Sequence, residues 1–135
     1  MMSPHTPSSI QWLLTGAGDV CEKKSGPPLY QLPGHSLLAA YRRNREAGED
    51  FALRHNCRYS GNILDLLSVH AANAVYIATP PEAHREQALA AAAAGKHVLV
   101  EKPMAMHSGE CADMVDACRE AGVVLGVAYY RRCYP

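Results

Sequence analysis

Glu101, Lys102 and Pro103 follow directly on the short run 97–100, which reads as a buried strand. An acid, a base and a proline thus stand where an apolar run stops. In an open parallel sheet, ligands sit just beyond the carboxyl ends of the strands. The triplet is therefore a candidate for chemistry. Taken alone, Glu-Lys-Pro is equally an exposed loop with two opposite charges. What separates the readings is that three other strand ends carry matching signals.

The run 10–14 leads into Thr15-Gly16-Ala17-Gly18-Asp19-Val20-Cys21. A strand followed by Gly-x-Gly is the context in which a dinucleotide-binding turn forms. Gly16 permits the tight turn, and Gly18 lets main chain approach a pyrophosphate. Asp19 and Val20 complete the candidate cradle, and Cys21 stands where a third glycine is usual. A plain glycine turn is the competing reading. A second strand, 36–41, is followed by Arg42-Arg43. An acid near that point accepts hydrogen bonds from the ribose 2′-OH of NAD. Two arginines suit the 2′-phosphate of NADP instead, or are simply surface residues. NADP is favoured, with NAD possible. Another strand, 74–78, ends at Thr79-Pro80-Pro81, with His84 in the first turn of a helix over 82–94. His84 is expected to line the ligand edge, against the alternative of a surface histidine.

Thr79-Pro80, His84, the stretch Gly95-Lys96-His97-Val98-Leu99, and Glu101-Lys102-Pro103 form a set. As a set they resemble the glucose–fructose oxidoreductase and inositol dehydrogenase family of nicotinamide-dependent enzymes. The resemblance is strongest from Ala74 onward. It implies a Rossmann domain that binds a nicotinamide dinucleotide through Gly16, Gly18, Asp19, Val20, Arg42, Arg43, Thr79, Pro80, His84, Glu101, Lys102 and Pro103. It also implies hydride transfer to or from a sugar, cyclitol or related polyol. Lys102 would polarise the carbonyl oxygen or share in proton transfer, and Glu101 would hold cofactor or lysine. In the family, the lysine works with an acid and a histidine from a following domain. Residues 129–135 are expected to begin the linker to such a domain, which this chain does not contain. The alternatives are a non-catalytic nucleotide-binding module and a nucleotide-sensing regulator that borrows the fold.

The elements that must position these groups follow from pattern and punctuation. A tail, 1–9, is expected to be flexible, and the domain to run over 10–128. The stretch Glu22 to Pro28 cannot be one regular helix, so a short turn, a break at Gly26 and a second short helix on the prolines are expected. Lys23 and Lys24 read as a solvated face or as phosphate contacts. Asn44 should cap a helix that buries Ala47, Phe51 and Ala52 and is weakened by Gly48. A short strand over 57–60 and a helix capped by Asn62, with Ile63, Leu66 and Leu67 on one face, come next. Ser108 reads as the cap of a helix over 109–121, with Cys111, Met114, Val115 and Cys118 buried, and Gly122 as its stop. A sixth strand spans 123–128. Strands alternating with helices argue for an α/β doubly wound parallel sheet in the order 3-2-1-4-5-6.

Composition bounds the rest. A length of 135 residues, 48% of them hydrophobic and 19% charged, suits one folded domain. The formal net charge is zero, so nothing points to nucleic acid or to an anionic membrane. Near-neutrality leaves homo-oligomerisation possible. The five cysteines include no Cys-x-x-Cys pair, and no signal segment precedes the first strand, so a cytoplasmic protein with reduced thiols is expected. The seven histidines show no paired-ligand spacing, and no zinc site is expected.

Overall fold

Short runs rich in Val, Ile, Leu and Ala form the central strands of a parallel sheet. The computed structural model describes residues 9–18 and 21–129. Residues 1–8 of the expected tail 1–9, Asp19, Val20 and residues 130–135 lie outside the described residues. The strands are β1 (Ile10–Thr15), β2 (His35–Tyr41), β3 (Arg58–Ser60), β4 (Ala74–Ile77), β5 (His97–Val100) and β6 (Leu125–Val127). All pairs are parallel, and the order is β3-β2-β1-β4-β5-β6, as the alternation of elements predicts. The order of winding reverses between β1 and β4, the place where doubly wound sheets open a crevice.

Central strands buried on both faces need apolar residues at every position. In β1 and β4, Leu13, Leu14, Val75, Tyr76 and Ile77 meet that need. On one face, Leu13, Val75, Ile77, Val98 and Val100 pack against α3 (Ile63–Leu67), α4 (His84–Ala93) and α5 (Ser108–Ala121). On the other, Trp12, Leu14 and Tyr76 pack with Cys21, with Leu29 of α1 (Pro28–Gln31) and with Phe51 of α2 (Arg45–Arg54). Ala88, Ala91 and Ala92 let α4 lie close on the sheet. No described helix covers the second face over β5 and β6. There, toward the amino ends of the strands, Trp12, Ala74, Leu99 and Val124 line an apolar depression of about 450 Å³.

The helix starts follow their caps. Asn44 Oδ1 accepts from Ala47 N–H at 3.0 Å, and Asn62 Oδ1 from Asp65 N–H at 2.8 Å. At α5 the expectation needs correcting. The cap is His107, whose Nδ1 accepts from Glu110 N–H at 3.3 Å, while the Glu110 carboxylate accepts from Met106 N–H at 3.0 Å. His107 has the extended backbone of a cap, and Ser108 is already the first helical residue. Gly122 ends α5 at φ +69°, as expected. The buried stripe of α5 is narrower than its spacing suggests: Met114 and Cys118 are buried, Cys111 is half-buried and Val115 is 39% exposed. In α2, Ala47 is likewise only half-buried, and Gly48 is not a weak point but a necessity. A Cβ at Gly48 would stand 2.5 Å from the Tyr59 ring. Burial pushes the thiols of Cys57 and Cys118 up, that of Cys57 to about 11, which keeps both protonated near neutrality.

Candidate functional site

The turn after β1 is shaped by two glycines with different tasks. Gly16 has φ +84°, and a Cβ on it would lie 2.5 Å from Ala78 C and Thr79 N, so the turn presses on the main chain leaving β4. Gly16 N–H also donates to Tyr41 O at 3.0 Å, which ties it to the end of β2. Beside Gly18 the space is open, with nothing within 4 Å of where a Cβ would be. Cys21 is buried, and its Sγ donates to Gly16 O at 3.5 Å, so a small side chain serves at the third-glycine position.

The interrupted first helix has a local cause. Residues Cys21–Ser25 form a single π-helical turn closed by Gly26 N–H donating to Cys21 O at 2.6 Å. A Cβ at Gly26 would stand 1.9 Å from that oxygen. Pro27 and Pro28 have no N–H with which to continue, and the chain restarts as α1. Arg54 of α2 holds the turn from outside by pairing with Glu22, and that hydrogen bond keeps the Glu22 carboxyl below its ordinary value.

At the end of β2 the two arginines part. Arg42 Nη1 donates to Ala17 O at 3.0 Å, so Arg42 braces the glycine turn. Arg43 is exposed and has no hydrogen bond or ion pair among the described residues.

At the end of β4, Thr79 Oγ1 donates to Gln87 Oε1 at 2.8 Å, and the buried Thr15 Oγ1 donates to the same oxygen at 3.0 Å. Gln87 of α4 thereby ties the ends of β1 and β4. Pro80 is exposed and precedes the 3₁₀ turn Pro81–Ala83. His84 lies beneath the edge rather than along it. It is fully buried, with Nε2 2.7 Å from Thr79 O and Nδ1 3.0 and 3.1 Å from the carbonyl oxygens of Pro103 and Met104. One ring therefore joins the loop after β4 to the loop after β5.

The β5 end carries the opening triplet. Tyr76 Oη donates to Glu101 Oε1 at 2.5 Å, and Lys102 N–H donates to Glu101 Oε2 at 3.0 Å. Glu101 is half-buried, Lys102 and Pro103 are exposed, and the Lys102–Pro103 peptide is cis. Gly95 and Lys96, from the same motif, lie at the opposite edge of the sheet. Lys96 is 5% exposed and donates to Val69 O at 3.0 Å and Ala72 O at 2.8 Å. Desolvation lowers its pKa. It is a structural residue that caps the turn after α3.

The structure thus brings Gly16, Gly18, Arg42, Arg43, Thr79, Pro80, Glu101, Lys102 and Pro103 to one edge, with His84 below them. Three participants carry signals that the sequence reading passed over. Gln87 is a polar residue three positions after His84 on the helix face that packs on the sheet. Tyr76 is a phenol in an otherwise aliphatic central strand, and a buried phenol needs a partner. Thr15 is a hydroxyl at the end of such a strand.

The space beside Gly18 is open, as close approach of a dinucleotide's pyrophosphate to the main chain requires. A family model described as an oxidoreductase family with an NAD-binding Rossmann fold matches residues 10–129. The chain belongs to this family. Oxidoreductase P35 of Formosa agariphila is 42% identical over 129 residues, which is 95% of this chain and 40% of that protein. The WlbA dehydrogenase from Bordetella pertussis, solved with NADH and UDP-GlcNAcA, is 33% identical with a TM-score of 0.88, covering 96% of this chain and 38% of that one. The 3-ketoreductase KijD10 from Actinomadura kijaniata, solved with NADP and TDP-benzene, is 26% identical with a TM-score of 0.89, covering 94% and 39%. This oxidoreductase domain therefore spans 38–40% of the length of these three relatives. Among its described residues, no helix is long and apolar enough to cross a membrane, and no group of three or more His, Cys, Asp or Glu gathers for a metal.

Proposed function

We propose that the chain is the nucleotide-binding domain of an oxidoreductase that prefers NADP and moves a hydride between a nicotinamide and a sugar, cyclitol or related polyol. The observation that carries the cofactor preference is Arg43, an exposed guanidinium at the β2 end where an acid would favour NAD. Arg42 supports the preference indirectly, because its guanidinium is engaged by Ala17 and fixes the turn that faces the pyrophosphate. Gly16, Gly18, Asp19, Val20, Thr79, Pro80, Glu101 and Pro103 complete the proposed cradle, and His84 holds two of its loops together.

When bound, the nicotinamide supplies or accepts the hydride. Lys102 is the proposed catalytic residue, polarising the substrate oxygen or holding its proton as the carbon–hydrogen bond breaks or forms. The polyol class rests on relatives such as the 1,5-anhydro-D-fructose reductase of Ensifer adhaerens, 37% identical over 90% of this chain and 37% of that enzyme. A site of this kind needs substrate held against the nicotinamide away from water. The described edge offers one wall of it.

Calorimetric titration tests the cofactor preference. NADPH should bind the purified chain about tenfold or more tightly than NADH, the scale of one charge-assisted contact. Arg43→Ala should remove that difference. Equal affinities in the unaltered chain would refute the preference.

A further inference from the structure

Tyr76 sits on β4 opposite Leu14 of β1 and Leu99 of β5, and is 1% exposed. A residue needed only to fill that space would serve as phenylalanine, since a buried hydroxyl is costly unless paired. Here the hydroxyl crosses to the end of the neighbouring strand and donates to Glu101 Oε1 at 2.5 Å. The other carboxylate oxygen accepts the main-chain N–H of Lys102 at 3.0 Å. Glu101 N–H donates in turn to Ile77 O at 2.9 Å, beside Tyr76 on β4. Glu101 thus links a fixed point in the centre of the sheet to the peptide that carries the lysine. On the far side of the same turn, Pro103 O and Met104 O rest on the buried His84 ring. The turn is held at both ends by side chains from other elements.

We propose that Tyr76 is a positioning residue: through Glu101 it sets the Lys102–Pro103 turn, and so the nicotinamide end of the nucleotide site. The inference rests on the reading that this edge binds a nicotinamide dinucleotide. A hydrogen bond to a carboxylate is short and about twice as strong as a neutral one. Its loss frees Glu101 to swing and leaves the Lys102 peptide without its acceptor. The glycine turn and Arg43, at the adenosine end, touch neither group.

The test compares two probes on the purified chain, NADPH and 2′-phospho-ADP-ribose, which lacks only the nicotinamide. Tyr76→Phe should weaken NADPH about tenfold, the scale of one charge-assisted hydrogen bond, while 2′-phospho-ADP-ribose stays within about twofold. Glu101→Gln should show the same split. The double variant should be no worse than the weaker single, because both remove one link. In the amide spectrum of Tyr76→Phe, the Lys102 N–H should move as its hydrogen bond weakens, with Gly16 and Gly18 unmoved. NADPH binding within twofold of the unaltered chain, or equal losses for both probes, would overturn the proposal. If Tyr76→Phe does not fold, absence of the split in Glu101→Gln overturns it equally. Failure of the unaltered chain to bind either probe would overturn the nucleotide reading and this inference together. A normal 2′-phospho-ADP-ribose affinity with no split overturns this inference alone.

Discussion

Lys102 is an exposed amine on a turn whose neighbours are all engaged: Glu101 by Tyr76, and the carbonyls of Pro103 and Met104 by His84. In the proposed reaction the Lys102 amine serves where charge develops on a substrate oxygen, so its value would be realised in the transition state rather than in binding. In a protein extended to the length of the relatives, Lys102→Met should lower kcat by about 10²–10⁴-fold, the usual range for a positioned acid or base. Steady-state kinetics with NADP(H) checks this, and turnover within a few-fold of the unaltered enzyme would make Lys102 structural. At this scale the sequence is readable where a polar residue interrupts an apolar pattern, as at Glu101-Lys102. It is unreadable where meaning depends on a distant partner. Tyr76 and Glu101 are 25 positions apart, Thr15 and Gln87 are 72, and nothing local announces either pair. Adjacent arginines are a further case. Spacing cannot tell that Arg42 turns back onto Ala17 while Arg43 stays in solvent.

The glycine turn and the π-helical turn after it are the elements on which the nucleotide reading depends. Gly16 and Gly18 look alike in sequence but should respond differently to the same change. Gly16→Ala places a methyl 2.5 Å from main-chain atoms of Ala78 and Thr79 at a positive φ, so it should cost several kcal/mol, as strained overpacking does. Gly18→Ala meets nothing within 4 Å, so its thermal midpoint should stay close to that of the unaltered chain while nucleotide affinity falls. Thermal unfolding and titration of the two variants separate these outcomes. A Gly18→Ala variant that binds NADPH normally would remove the pyrophosphate from this turn. The broken first helix was legible because glycine and proline act through local sterics, and Asn44 and Asn62 declared their helices for the same reason. His107 did not. Its capping role depends on a ring nitrogen accepting an N–H, which asparagine and serine advertise and histidine does not. Gly48 misled for the converse reason, since its propensity penalty is local and the Tyr59 ring that requires it is not.

For the whole molecule, strand order followed from alternation alone, because right-handed crossovers and a single reversal leave few ways to wind six strands. The gathering of Gly16, Arg43, Thr79 and Lys102 follows from that winding, since parallel strands send their carboxyl ends to one edge. The apolar depression near Trp12, Leu99 and Val124 lies at the other end of the strands and has none of these groups, so shape alone would point away from the chemistry. The most direct measurement of where the nucleotide sits is an amide-shift map of the purified chain titrated with NADPH. The largest movements should fall at Gly16, Gly18, Arg43, Thr79, Glu101 and Lys102, with Trp12, His97 and Val124 unmoved. Saturable shifts centred instead on Trp12, Leu99 and Val124, or no shifts at all, would contradict the account.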